Sequence, residues 1–165
     1  MIRILGIDPG LRYTGWGIID KSNDNKLKFV ACGVISTPPT DRISTRLMNI
    51  SKGIKEIVTE YKPDECAIEE TFVNQNPMSS LKLGHARGTI IATLAIAGVP
   101  PYEYAATLIK KTVVGAGRAQ KQQVQAMVEC LLPKAVIKSE DAADALAVAI
   151  CHTQHANINS LMESW

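Results

Sequence analysis

The sequence has few aromatic residues, no closely paired cysteines and no long apolar run. Aromatic side chains make up 5% of its 165 residues. The longest apolar stretch, Thr89 to Val99, is shorter than the roughly 20 residues that cross a bilayer, and the first residues resemble a strand more than a cleavable signal. We therefore expect a cytoplasmic location. Because no C-x-x-C pair occurs, we expect reduced core thiols rather than disulfides or zinc ligands. The cysteines are Cys32, Cys66, Cys130 and Cys151.

The charge balance excludes a strongly basic or acidic protein. The net charge is +2 and the hydrophobic fraction is 46%, which are ordinary values for a globular chain and do not by themselves indicate a nucleic-acid partner. Affinity for a polyanion must therefore come from local clusters of cations. The length predicts one domain, residues 1–155, followed by a polar and flexible C-terminal tail, residues 156–165.

The hydrophobic pattern predicts an α/β fold. An apolar strand over residues 2–8 precedes two more strands, and Ile43 to Tyr61 then carries apolar residues at steps of three and four, which is typical of an amphipathic helix. A strand, an apolar helix over Met78 to Gly98 and another short strand follow, with further helices up to His152. This order predicts a mixed sheet covered by helices on both faces.

Acidic residues follow two of the predicted strands and begin the last helix. Asp8 ends an apolar run before Pro9-Gly10, and Glu69 ends the run Ala67-Ile68. Asp141 and Asp144 lie three residues apart, and therefore on one face of an Ala-rich helix. Since ligands of such sheets gather at the carboxyl ends of central strands, we expect these four acids to form one site.

Each acid has a simpler explanation when it is taken alone. Asp8 before Pro-Gly could build a turn, and Glu69 could be a solvated strand end. Glu140 and Asp141 could complement the helix dipole, although this does not explain Asp144. Glu70 alternates to the opposite face of its strand and is excluded from the set.

The proposed ligand set contains only oxygen atoms. Carboxylates about 4 Å apart repel by roughly 4 kcal/mol per pair at an effective dielectric of about 20, so they need cations. Oxygen ligands favour Mg²⁺ or Mn²⁺ over zinc. Two such ions can activate a water and stabilise the leaving oxygen in a displacement at phosphorus, which predicts a metal-dependent phosphodiesterase with two Mg²⁺ ions per site.

Six short strings in this order closely resemble the RuvC family of crossover junction endodeoxyribonucleases, within the ribonuclease H-like superfamily. The resemblance covers roughly Met1 to His155. The strings are Gly-Ile-Asp-Pro-Gly at 6–10, Ala-Ile-Glu at 67–69, Leu-Lys-Leu-Gly-His-Ala-Arg-Gly at 81–88, Glu-Tyr-Ala-Ala at 103–106, Lys-Thr-Val-Val-Gly at 111–115 and Asp-Ala-Ala-Asp-Ala-Leu-Ala at 141–147.

The resemblance implies a five-stranded mixed sheet, a homodimer and resolution of four-way DNA junctions by paired nicks that leave 5′-phosphate and 3′-hydroxyl ends. In that family the acids correspond to Asp8, Glu69, Asp141 and Asp144, and some members carry histidine in place of Asp141. It also implies the branch-migration proteins RuvA and RuvB as partners. A C₂ dimer suits a junction with near two-fold symmetry, and the helix Met78 to Gly98 is the candidate interface, unless it is buried within one protomer.

Basic residues around Gly115-Ala116-Gly117 are candidate phosphate contacts, with a solvated loop as the alternative. The resemblance assigns Lys110 and Lys121 to junction binding or catalysis. Phe72 could stack on an unpaired base or simply anchor its loop. The remaining candidates are Lys111 and Arg118 by the loop, and Lys82, His85 and Arg87 on the interface helix.

Three other functions share part of this pattern. An actin-like or sugar-kinase ATPase also has Asp8-x-Gly10 followed by Thr14-Gly15, but 165 residues leave no room for its second lobe. A ribonuclease for RNA:DNA hybrids would use the same chemistry, although the six strings favour junctions. A non-catalytic junction-binding module is disfavoured because all four acids are present.

Overall fold

Five strands form one mixed sheet in the computed structural model, which describes residues 1–70 and 75–162, with side chains through residue 156. The first three strands form an antiparallel meander, and the last two run parallel to the first. The spatial order is β3-β2-β1-β4-β5, so the first strand is central. The strands are β1 (Ile2–Asp8), β2 (Tyr13–Lys21), β3 (Leu27–Ser36), β4 (Glu65–Glu69) and β5 (Pro101–Tyr104).

Helices cover both faces of this sheet, as the sequence pattern predicts. The first two helices pack with Leu5 and Ile7 on one face, and the last three pack with Ile4 on the other. None of the helices within the described ranges is long and apolar enough to span a membrane. The helices are α1 (Ile43–Tyr61), α2 (Pro77–Ile96), α3 (Ala106–Val114), α4 (Lys121–Leu131) and α5 (Glu140–Met162).

Helix α1 has the predicted boundaries. Its buried face includes Ile50, Ile54 and Ile57, which recur at helical spacing. The helix ends where Lys62 adopts a left-handed conformation (φ 49°), directly before Pro63, whose ring disfavours a helical residue in front of it.

Helix α5 is longer than the sequence analysis predicts. It continues from Glu140 to Met162 and so runs through most of the stretch expected to be a flexible tail. Residues 140–162 contain neither glycine nor proline, so no residue stops the helix after His155.

The thiol prediction is correct for three of the four cysteines. All four are free; Cys66 and Cys151 are buried and Cys32 is half-buried. Cys130 is exposed, because the buried residues of α4 are Val124 and Val128, and residue 130 lies on a different face of that helix.

Candidate active site

Asp8 and Glu69 end two adjacent parallel strands. The β1–β4 register pairs Ile7 with Ile68, so the next residue on each strand is one of these acids. Ile7 and Ile68 pack on the α1–α2 side of the sheet, and side chains alternate along a strand. Both carboxylates therefore face the α5 side, at the edge where the sequence analysis places them.

Two glycines let α5 approach this edge closely. A Cβ atom at Gly6 would overlap the carbonyl oxygen of Ala145, and one at Gly15 would overlap that of Asp141. Gly15 is also the β2 partner of Asp8. The first turn of α5 therefore lies directly against the strand pair that carries Asp8.

The described acids influence one another strongly. Burial raises the pKa of Asp8 to about 8, and the charges of Glu69, Asp144 and Asp141 add to the effect. Burial also raises the pKa of Glu69, with Asp144 contributing to the same shift. Mutual repulsion of this kind requires that the carboxylates share one neighbourhood.

Lys121 is the main counter-charge in this neighbourhood. Its ammonium lies 3.1 Å from Asp144 and 3.2 Å from Glu140. Burial lowers the pKa of Lys121, but the hydrogen bonds and charges of Asp144 and Glu140 outweigh burial and raise it. Burial likewise raises the pKa of Asp144, against the opposing effect of Lys121. Lys121 is therefore fully charged and compensates part of the acidic repulsion.

A cavity of about 190 Å³ opens beside these charges. Lys110 stands near Glu69, where its charge lowers the pKa of that carboxyl against the larger effect of burial. Acids and cations thus line the same small cavity, a composition that suits binding of a phosphodiester. The lining residues are Glu69, Ala106, Ile109, Lys110, Lys121, Val124, Asp144 and Ala147.

The donor set fits a hard divalent cation. Asp8, Glu69, Asp141 and Asp144 offer only carboxylate oxygens, the ligands that Mg²⁺ prefers. Within residues 1–70 and 75–162, however, no three acidic, histidine or cysteine side chains are already gathered as a metal-binding group. A cation at Asp144 would take over the neutralisation that Lys121 provides in this structure.

The raised pKa of Asp8 predicts how stability depends on pH without metal. Between its ordinary pKa near 4 and about 8, the folded protein holds a proton that the unfolded chain has lost, so the free energy of unfolding falls as pH rises. Asp8→Asn removes this penalty. Because one pKa unit corresponds to about 1.4 kcal/mol, we expect the variant in EDTA to exceed wild type by up to about 5 kcal/mol at pH 8.5, which is a rise of many degrees in Tm, and by far less at pH 4.5.

Thermal unfolding of the two proteins at both pH values measures this effect. The comparison is internal, because any change in packing caused by the amide contributes equally at either pH. If Asp8→Asn changes Tm by the same amount at pH 4.5 and pH 8.5, then the ionised form of Asp8 does not destabilise the folded protein.

The predicted DNA contacts fall into separate groups. Lys110 and Lys121 line the cavity, whereas Lys111 and Arg118 are exposed outside it. Arg87 forms an ion pair with Glu103 on β5 through a terminal nitrogen, whereas its buried Nε has no hydrogen-bond partner among the described residues. Lys82 and His85 are exposed on α2, and Phe72 lies outside the described residues.

The sequence did not predict the roles of two residues near the site. Glu140 forms an ion pair with Lys121. Its position four residues before Asp144, and therefore on the same helix face, is the signal that could have indicated this.

His152 is buried and connects Tyr104 and Glu65 through hydrogen bonds of 2.8 Å at each ring nitrogen. Burial lowers the pKa of His152 against the opposing effect of Glu65, so a neutral imidazole ties α5 to β4 and β5.

Comparisons with known proteins agree with this geometry. The family model of the crossover junction endodeoxyribonuclease RuvC matches residues 4–152. A RuvC endonuclease of Azorhizobium caulinodans is 54% identical over 155 residues, covering 94% of this chain and 91% of the relative, and one of Paramagnetospirillum magneticum is 55% identical, covering 93% and 92%. The solved structure of Thermus thermophilus RuvC in complex with a Holliday junction substrate has a TM-score of 0.89 at 29% identity, over 96% of this chain and 97% of that one.

Proposed function

The chain belongs to the RuvC family of crossover junction endodeoxyribonucleases, and on this premise we propose that it resolves four-way DNA junctions in recombination and repair. The reaction is hydrolysis of one phosphodiester in each of two strands. Water forms a new bond to phosphorus, the bond to the 3′-oxygen breaks, and that oxygen takes up a proton. The products are 5′-phosphate and 3′-hydroxyl ends that a ligase can join.

The observation that carries this proposal is the cavity in which Glu69 and Asp144 lie beside two lysines. The charges of both acids also act on the neighbouring Asp8. These carboxylates, with Asp141, would hold two Mg²⁺ ions, for which Mn²⁺ can substitute, and the ions would activate water and stabilise the leaving oxygen. Lys110 and Lys121 attract the phosphate and offset the charge that develops on it. Phe72, Lys111 and Arg118 are proposed as outer DNA contacts.

Helix α2 supports a homodimer. One of its faces is buried against the sheet at Ile90 and Leu94, whereas Met78 and Leu81 on the other side are more than half exposed. Apart from the neighbouring residues and the backbone of α2 itself, no heavy atom of the described residues lies within 4 Å of a Cβ built at Gly88. A second copy packed on this face would give two equivalent active sites for a junction with two-fold symmetry.

Gly88→Glu should produce a monomer. The substitution places a charge on the proposed apolar contact, while glutamate favours an exposed helix more than glycine does by roughly 0.5–1 kcal/mol, so the fold is retained. Light scattering coupled to size-exclusion chromatography measures the mass. Met48→Glu, at an exposed position of α1, is the control and should stay dimeric; a dimeric Gly88→Glu protein would remove α2 from the interface.

The proposed activity has a direct assay. Labelled four-way junctions, nicked duplexes and linear duplexes are incubated with the protein and Mg²⁺ and analysed on denaturing gels. Paired, symmetric nicks confined to the junction support the proposal. Cleavage of RNA:DNA hybrids in its place indicates a ribonuclease, and binding without cleavage indicates a junction-binding module.

The remaining features of the proposal follow from this role. We propose that residues 1–155 act as a single nuclease domain, from which α5 continues as far as Met162. RuvA and RuvB, which move the branch point, are the proposed partners. The cytoplasm, where bacterial DNA is recombined, is the proposed location.

A further inference from the structure

A second cavity, of about 290 Å³, lies on the opposite face of the sheet from Glu69 and Asp144. Three of its lining residues are cationic and none is acidic, which is the composition of a site for an anion. It is formed by the loop after β1 together with α1 and the first turns of α2. Its lining residues are Leu11, Arg12, Arg46, Ser79, Lys82 and Leu83.

Arg46 is the unusual member of this set. It is only 8% exposed, yet no carboxylate within residues 1–70 and 75–162 pairs with it. Its Nε donates a 3.0 Å hydrogen bond to the Thr37 hydroxyl, which leaves its terminal nitrogens without a protein partner among those residues. The Nη atoms are not among the buried unpartnered atoms of the described residues, so the fold holds the side chain in place while its terminal nitrogens stay open to solvent. A guanidinium positioned in this way suits an anionic ligand.

The surrounding hydrogen bonds hold this cation next to the strand end that carries Asp8. Thr37 donates its amide to the Arg12 carbonyl and its hydroxyl to the Leu11 carbonyl. Leu11 follows Asp8 by three residues, so their Cα atoms are at most about 11 Å apart. Asp8 and the second cavity are therefore close enough for one DNA strand to contact both.

We propose that Arg46 is the centre of a second phosphate-binding subsite, which holds a backbone phosphate flanking the one that is cleaved. Lys82 and Arg12 complete the subsite from its rim, where both are exposed. A guanidinium binds phosphate through charge-assisted, often paired hydrogen bonds. The subsite rests on the proposed junction activity, and it fixes the position of the strand across the sheet edge without taking part in the chemistry.

The test is junction binding in EDTA, where no cleavage occurs, measured by fluorescence anisotropy over a range of NaCl concentrations. Arg46→Gln and Lys82→Gln should each weaken binding about tenfold, as the loss of a charge-assisted hydrogen bond implies. Each should also lower the slope of log K against log salt by about 0.9, the value for one lost phosphate contact. Lys55→Gln, at an exposed position on the same helix, removes the same charge and should keep the wild-type slope.

A second measurement separates phosphate binding from a structural role of Arg46. Junctions carrying one neutral methylphosphonate at each position near the cut are titrated with wild type, Arg46→Gln and Lys82→Gln. At one position, replacing the phosphate by a methylphosphonate should weaken junction binding by the wild-type protein. The same replacement should change the affinity of the two variants little, because they have already lost that contact. If Arg46→Gln does not fold, Lys82→Gln and the wild-type scan carry the same test.

The outcomes distinguish this subsite from the activity on which it rests. Two results overturn the subsite and leave the nuclease proposal intact, provided that the wild-type protein binds the junction. One is an unchanged salt slope in both variants, and the other is a methylphosphonate effect that adds to the effect of each substitution at every position. Failure of the wild-type protein to prefer a four-way junction over linear duplex overturns both.

Discussion

Asp8→Asn abolishes junction cleavage, with an expected rate loss of at least about 10³-fold, and leaves junction binding as tight as in wild type or tighter. The amide keeps the size of the side chain but removes the charge of a proposed metal ligand. Loss of one electrostatic contact to the transition state commonly costs about 10² to 10³ in rate, and loss of a metal ligand adds to this. Binding survives because the variant removes a negative charge that faces the DNA.

Single-turnover cleavage of a labelled junction in Mg²⁺ and anisotropy in EDTA measure the two effects separately. Asp41→Asn, which makes the same change at an exposed position, is the matched control and should cleave at the wild-type rate. Nicking by Asp8→Asn at the wild-type rate would exclude Asp8 from the mechanism. Joint loss of binding and cleavage would instead indicate a structural role.

Replacing Mg²⁺ by Ca²⁺ should separate binding from cleavage in the unmodified protein. Mg²⁺ and Mn²⁺ adopt compact octahedral coordination, whereas Ca²⁺ accepts six to eight oxygen ligands at longer and more variable distances. Small errors in the position of the reacting groups cost about 10² in rate. We therefore expect a loss of at least about 10²-fold in Ca²⁺, with junction affinity unchanged or improved.

Cleavage and anisotropy are measured with each ion at the same ionic strength, because DNA affinity depends on salt. Restoring cleavage by adding Mg²⁺ to the preformed Ca²⁺ complex is the control for inactivation. Equal rates in all three ions would contradict a site whose geometry discriminates between them.

The sequence predicts the sheet and the position of its acids well. The apolar run before Asp8 and the one before Glu69 are short and uniform, which is typical of buried strands. Once both strands lie in one sheet, alternation alone places the two carboxylates on the same face. The i, i+3 spacing of Asp141 and Asp144 likewise fixes their common helix face without knowledge of the fold.

Features that depend on packing between distant segments were not predictable in the same way. The contact of Lys121 with Asp144 joins α4 to α5. The spacing of residues within one helix does not predict which other helix packs against it. Arg46 falls among the apolar positions of α1, between Ile43 and Ile50, but the pattern does not tell whether such a cation pairs with an acid. The extension of α5 to Met162 was missed because the polar composition after His155 is typical of a tail, whereas helix propensity continues.

The close packing of α5 against Gly6 and Gly15 has a consequence for which substitutions the enzyme tolerates. Gly6 and Gly15 have only a hydrogen atom where other residues have a Cβ atom. Their small size therefore sets the distance between Asp8 and the two aspartates on α5. A methyl group added at either glycine would push α5 away from the sheet. It would thereby displace Asp141 and Asp144, the two proposed metal ligands on that helix, together. Damage to hydrolysis can thus arise at positions that a survey of acids, bases and cations would pass over.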